Sequence, residues 1–225
     1  MLLSSLDTSM LRLLQLSSVS LPVGGYSFSQ GLEYAIDSGL VSDAEQVKQW
    51  TKLQLSQSIG RLELPILRLS MRALIDNDLS KLNEYNDLSL ASRESKELRL
   101  TDTAMGEALK RVMHNHQIEI PFAPTAQLSF VVLFAITAHH WRINYYSTAL
   151  GFSWSWLENQ ISAATKLVPL GQSQAQQLLG ELQPHIIEAI DLAETIEAED
   201  VGACLPTLAI VSALHETQYS RLFRS

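Results

Sequence analysis

Only one cysteine, Cys204, occurs in the 225 residues. That excludes an internal disulfide and any zinc site built from several thiolates. A thiol-independent fold in a reducing compartment follows, with Cys204 read as a small apolar core residue. Positive charge is also scarce: 16 Lys and Arg against 24 Asp and Glu leave a formal charge of −8, and the cations are scattered along the chain. Nucleic acid needs a basic patch to neutralise its phosphates, so no nucleic-acid partner is expected. Long apolar runs are missing too. The longest uncharged one, about Leu128 to Ala138, falls short of the roughly 17–25 residues that a membrane span requires. The leucine-rich start, Met1 to Leu21, has no cationic beginning and carries Asp7 and Arg12, so it reads as a buried first helix and not as a signal peptide. The expectation is a cytoplasmic protein without a membrane association.

Catalytic signatures are absent as well. No G-x-x-x-x-G-K-[ST] segment exists to cradle phosphates, and Gly24-Gly25 reads as a tight turn. No serine sits in G-x-S-x-G. The segment His215-Glu-Thr-Gln-Tyr219 places a tyrosine where the zinc-protease pattern H-E-x-x-H needs its second ligand. His114 and His116, beside Met113, are weak metal candidates that lack further ligands, and His139-His140 face different directions on a helix. These gaps favour a binding or scaffolding role over catalysis, with no stably bound cofactor.

What the sequence does hold is helical periodicity. Ala44, Val47, Trp50 and Leu53 share one face, and Leu98, Met105, Leu109 and Val112 share another. Ser42-Asp-Ala-Glu45 has the pattern of a capping box at a helix start. Further helices are expected near 62–76, 79–91, 124–140, 154–166, 172–182, 185–198 and 206–214, with breaks at Pro121/Pro124 and at Pro169/Gly171. No strand alternation, repeat or linker interrupts this pattern. The fold class is all-α: a single domain over 1–225, a bundle of about eight to ten helices with a tail at about 215–225.

Three stretches are too particular for ordinary loops: Leu21 to Glu33, Ser92 to Gly106, and His215 to Ser225. In the first, Tyr26 and Phe28 lie among glycines and serines, where their rings either face a partner or clamp the loop onto the core. In the second, Arg93, Glu94, Lys96, Glu97 and Arg99 read as a solvated helix face with minor ion pairing. In the third, Tyr219, Arg221, Leu222, Phe223 and Arg224 put apolar groups on a chain end that would otherwise fray, which points to docking on the bundle or on another protein.

The segment Leu21-Pro-Val-Gly-Gly-Tyr-Ser-Phe-Ser-Gln-Gly-Leu-Glu33 resembles the opening signature of the UreF urease accessory proteins. Glu97 to Gly106, Lys166-Leu-Val-Pro-Leu-Gly-Gln172 and His215 to Ser225 are similar to later segments of the same family. The resemblance spans essentially the whole chain. It implies an all-α assembly factor that binds UreD (UreH in some organisms) and the GTPase UreG, forms a homodimer within that complex, and acts on apo-urease. Nickel insertion would then depend on GTP hydrolysis by UreG, with nickel passing transiently through the complex. On the matched motifs, Tyr26 and Arg221 are the leading partner contacts, with Phe28, Tyr219, Phe223 and Arg224 beside them. Arg99, Arg221 and Arg224 are candidates for an arginine offered to the GTPase. The rival function is a free-standing nickel carrier using His114 and His116.

Overall fold

The computed structural model describes residues 5–203 and 205–225, with side chains from Thr8 onward. The first four residues and Cys204, the expected core cysteine, lie outside the described residues. Ten α-helical segments and no strand are present among the described residues. They are α1 (Ser5–Leu16), α2 (Leu32–Asp37), α3 (Ala44–Gln54), α4 (Leu64–Ile75), α5 (Leu79–Ala91), α6 (Lys96–Asn115), α7 (Phe130–His140), α8 (Tyr145–Leu167), α9 (Gln172–Thr195) and α10 (Pro206–His215). A π-helical stretch, Leu55–Glu63, joins α3 to α4 without a break. Pro65 at the start of α4 supplies a cause, because its ring clashes with the carbonyl four residues back and favours the wider backbone loop.

Helix α7 is the hub. Its sequence is apolar on every side, and all its residues from Phe130 to Ala138 are buried. Phe134, fully buried, meets Phe130 and Phe152 edge to ring at 5.8 and 5.2 Å. Around α7 pack α4, α6 and α8, while α9 runs along the π-helical stretch. The close approach there rests on Gly60, where an added Cβ would meet the Ala189 carbonyl at 3.2 Å.

Several boundaries differ from the sequence expectation. Asp43, not Ser42, caps α3: its carboxylate accepts from the Gln46 amide at 2.9 Å, and the Gln46 side chain accepts from the Ser42 amide at 2.7 Å. The helix therefore starts one residue later than the Ser-x-x-Glu pattern implied, and Glu45 instead accepts from Gln49. The expected 172–182 and 185–198 helices are one helix, α9. Leu182, Ile186, Ala189, Ile190 and Ala193 keep one buried face through Pro184, so packing outweighs the lost amide. Helix α8 begins nine residues before its expected start, capped by the Asn144 carboxamide on the Ser147 amide at 2.9 Å. Helix α7 starts at Phe130, not 124. The first helix is buried on one side only: Leu13 and Leu16 are inside, whereas Met10, Leu11 and Leu14 are exposed. Leu53 is likewise exposed, off the face that buries Val47 and Trp50.

Candidate functional site

Helix α10 ends on His215, which is completely buried. Its Nε2 lies 2.9 Å from Oε2 of Glu33 in α2, and its Nδ1 lies 2.5 Å from Oε2 of Glu97 in the first turn of α6. A neutral imidazole has one N–H, yet here both nitrogens face carboxylate oxygens. An imidazolium donating from both sides satisfies that geometry, through two charge-assisted hydrogen bonds.

Both carboxylates also hold the chain beyond α10. Oε1 of Glu33 accepts from the Leu222 amide at 2.6 Å, and Oε2 accepts from the Phe223 amide at 2.9 Å. Oε1 of Glu97 accepts from Nη1 of Arg221 at 2.6 Å. Two carboxylates, one imidazolium and one guanidinium thus balance, with the ring and both carboxylates buried and the guanidinium partly open to solvent. The tail then passes beneath the first polar stretch. The Arg224 amide donates to the Ser27 carbonyl at 2.9 Å, and the Ser225 carbonyl accepts from the Ser29 and Gln30 amides at 2.5 and 3.2 Å. The Ser29 hydroxyl donates to the same carbonyl, and the Ser225 and Thr101 hydroxyls pair. All three polar stretches therefore meet in one clasp.

Local backbone choices make this possible. Gly31 has a φ of +84°, and a Cβ there would meet Cγ2 of Val211 at 2.9 Å, so only glycine lets α2 lie this close to α10. Ser95 caps α6 by accepting from the Leu98 amide at 3.1 Å and also pairs with the Ser212 hydroxyl at 2.7 Å, which fixes the turn bearing Glu97 against α10.

A second buried network adjoins the clasp through α6. Arg93 donates to Glu63 through two guanidinium nitrogens, and its Nε donates to Asp102 at 3.0 Å. Burial works against the guanidinium charge, but Asp102 and Glu63 outweigh it and hold the Arg93 pKa above the ordinary arginine value. Asp102 in turn accepts from the Ser129 hydroxyl at 3.0 Å and from the Phe130 amide at 2.8 Å, placing a negative charge at the start of α7. The solvated-face reading of 92–106 is thus overturned for Arg93 and Glu97: both are spent on buried partners. Glu94, Lys96 and Arg99 do lie outside.

The sequence-derived candidates separate into two groups. Tyr26 sits on the 3-10 turn Gly25–Ser27 with 62% exposure, and Tyr219 is fully exposed. Arg221 keeps part of its guanidinium exposed while paired to Glu97. Arg224 is exposed, its guanidinium carbon 5.7 Å from the Phe28 ring centre. Phe28 and Phe223, by contrast, are core residues, so their rings anchor the loop and the tail from beneath and present no surface. Leu222, at 65% exposure, takes the outward place instead. Arg99 is held by the Leu90 carbonyl and the Gln127 side chain. His114 and His116 lie exposed at the end of α6, whereas Met113 points into the core and cannot join them. Among the described residues, no group of three His, Cys, Asp or Glu is placed to hold a metal ion.

Sequence reasoning named Glu33 and His215 only as members of their stretches and missed their pairing with each other. A trace existed in the apolar run Leu32-Glu33-Tyr34-Ala35-Ile36, an unusual setting for a solvated carboxylate. Its partners could not be found that way, because they are far off in the chain.

The family model described as UreF matches residues 41–183. A urease accessory protein UreF of Marinomonas sp. (strain MWYL1) is 62% identical over 219 residues, covering 97% of this chain and 95% of the relative. Those of Hahella chejuensis (strain KCTC 2396) and Teredinibacter turnerae (strain ATCC 39867 / T7901) are each 42% identical. They cover 96% and 98% of this chain, and 98% and 100% of their own lengths. The clasp segments Leu21 to Glu33 and His215 to Ser225 fall outside the matched family model, but the pairwise likeness to these relatives extends over nearly the full length; the chain belongs to the UreF family.

Proposed function

We propose that this chain is a non-catalytic scaffold of urease maturation. It binds UreD (UreH) and the GTPase UreG, works as a homodimer within their complex on apo-urease in the cytoplasm, and supports GTP-dependent nickel insertion. Nickel is cargo in this reading, not a resident cofactor. The name shared by the relatives supports the urease assignment. The observation that carries the scaffolding role is the pairing of a clamped backbone with exposed side chains: the Leu222 amide is fixed on Glu33, while the Leu222 and Tyr219 side chains stand in solvent. Fixing the backbone in advance reduces the ordering cost of association, and Tyr with a neighbouring Arg is a common energetic centre of interfaces.

The test is co-purification with the UreD-type and UreG-type proteins of the same organism. Truncation before His215 is a poor probe, because it would leave Glu33 and Glu97 buried without their cation. Tyr26→Ala, Tyr219→Ala and Leu222→Ala spare the clasp. Wild type should form the ternary complex, and these variants should lose UreG or UreD while melting normally. Wild type binding neither protein would overturn the reading.

A further inference from the structure

Outside the clasp, two buried donors without partners lie beside unpaired cations at one pocket. The end of α7, the start of α8 and the outer face of α4 enclose an open pocket of about 450 Å³. Arg68, Arg72, His139, Arg142 and Tyr145 line it. Nε of Arg68 and the phenol of Tyr145 are buried there without any hydrogen-bond partner. Nη2 of Arg68 donates to the Ile196 carbonyl, a neutral acceptor, and no carboxylate lies within ion-pair distance of Arg68 among the described residues. Arg142, in a left-handed conformation at the turn between α7 and α8, has no ion pair or side-chain hydrogen bond among the described residues. Arg72 is neutralised by Asp76 at 2.8 Å.

Charge at this pocket is therefore out of balance in one direction. Two guanidinium groups go uncompensated, in a chain whose overall charge is −8. The first amides of α8 add the positive end of a long helix dipole. Opposing them, Glu194 acts on Tyr145 from outside the pocket lining. Burial keeps the Tyr145 phenol protonated, so near neutral pH it is a fixed donor. Planar guanidinium with a nearby hydroxyl suits an acceptor group with several oxygens.

We propose that this pocket is an oxyanion site, in which one phosphate or carboxylate group is balanced by Arg142 and accepts from Arg68 Nε and the Tyr145 hydroxyl once a turn of these side chains opens the two donors, closed to solvent in the free chain, to the pocket. The oxyanion comes either as a free phosphate-class anion or as an acidic side chain. Both are tested by titrating the full chain at low ionic strength, once with inorganic phosphate and once with acetyl-Glu-Leu-amide, against potassium chloride at matched ionic strength. Amide and arginine Nε–H signals are followed by NMR. Saturable shifts at Arg68 Nε–H and at the Tyr145 and Tyr146 amides are expected from at least one probe, and the probe that binds identifies the source. Tyr145→Phe should weaken binding about fivefold, the worth of one hydrogen bond, and Arg142→Gln at least as much. Gln suits that turn, since Gln30 and Gln117 adopt the same backbone region elsewhere in this chain. Both variants keep the Arg68 link to Ile196 and should melt as wild type does. No saturable shift with either probe, or shifts that both variants leave unchanged, would overturn the proposal.

Discussion

Nε2 of His215 lies 2.9 Å from Oε2 of Glu33, across 182 positions of the chain. The contact joins an early helix to the last one, so it forms only once the intervening bundle has brought α2 and α10 together. Loop closure over such a span costs little more than over a short one, because the entropy grows only with the logarithm of length. What it gains is a fixed path for the tail, whose amides at Leu222 and Phe223 end on the same carboxylate.

Removing the ring should therefore cost far more than one hydrogen bond. In His215→Leu, Glu33 and Glu97 remain buried without the cation between them, and unpairing buried charges costs about 3–5 kcal/mol. Urea unfolding should show that loss as a lower midpoint at an unchanged slope. A loss under about 1 kcal/mol would mean that the two carboxylates do not depend on the imidazolium.

Gly31→Ala tests the approach of α2 to α10 separately from any charge. The left-handed φ costs a side chain about 1–2 kcal/mol, and the new Cβ would press on Val211 and Leu208. The expected destabilisation is about 2–3 kcal/mol, read by the same urea titration. Gly39→Ala is the control: its φ is also positive, at +77°, but nothing lies within 4 Å, so only the backbone strain should appear.

The all-α class and much of the bundle were legible because helical periodicity is local; α5 coincides with its expected 79–91 span. Helix junctions were harder where packing overrode local signals, as at Pro184, or where small residues concealed a helix, as in the first turns of α8. There Gly151 is needed because a Cβ would strike Ser17 and Leu13 of the α1 region. The importance of the three polar stretches could be read, but their chemistry could not. Glu97 among Arg93, Glu94 and Lys96 has the composition of a wet helix face, and only the arrival of α10 turns it into a buried ligand of His215 and Arg221.

Tyr145 provides a pH signature. Burial pushes its pKa up to about 12, from the ordinary value of 10.0. Because the folded value is the higher one, its contribution to stability is complete below pH 10 and is lost as pH rises toward 12. Ultraviolet titration of the folded chain should contain a late ionisation step that Tyr145→Phe abolishes. A titration that Tyr145→Phe leaves unchanged above pH 10 would contradict the burial of this phenol.

The last prediction concerns the surface that the clasp supports. Tyr26 and Leu222 are both exposed, yet their backbones are tied to each other: the Arg224 amide bonds to Ser27, one residue from Tyr26, and the Leu222 amide bonds to Glu33. Neither side chain supports the core, so Tyr26→Ala and Leu222→Ala should each change stability by less than about 0.5 kcal/mol. If both meet the same partner, each should weaken its binding by about tenfold, roughly 1.4 kcal/mol. The double variant should then depart from additivity by at least about 0.5 kcal/mol, because the pair acts through one rigid unit. Binding assays on the assembled complex measure this cycle. Losses that add fully would place the two residues in independent contacts, and the clasp would then be a device for stability alone.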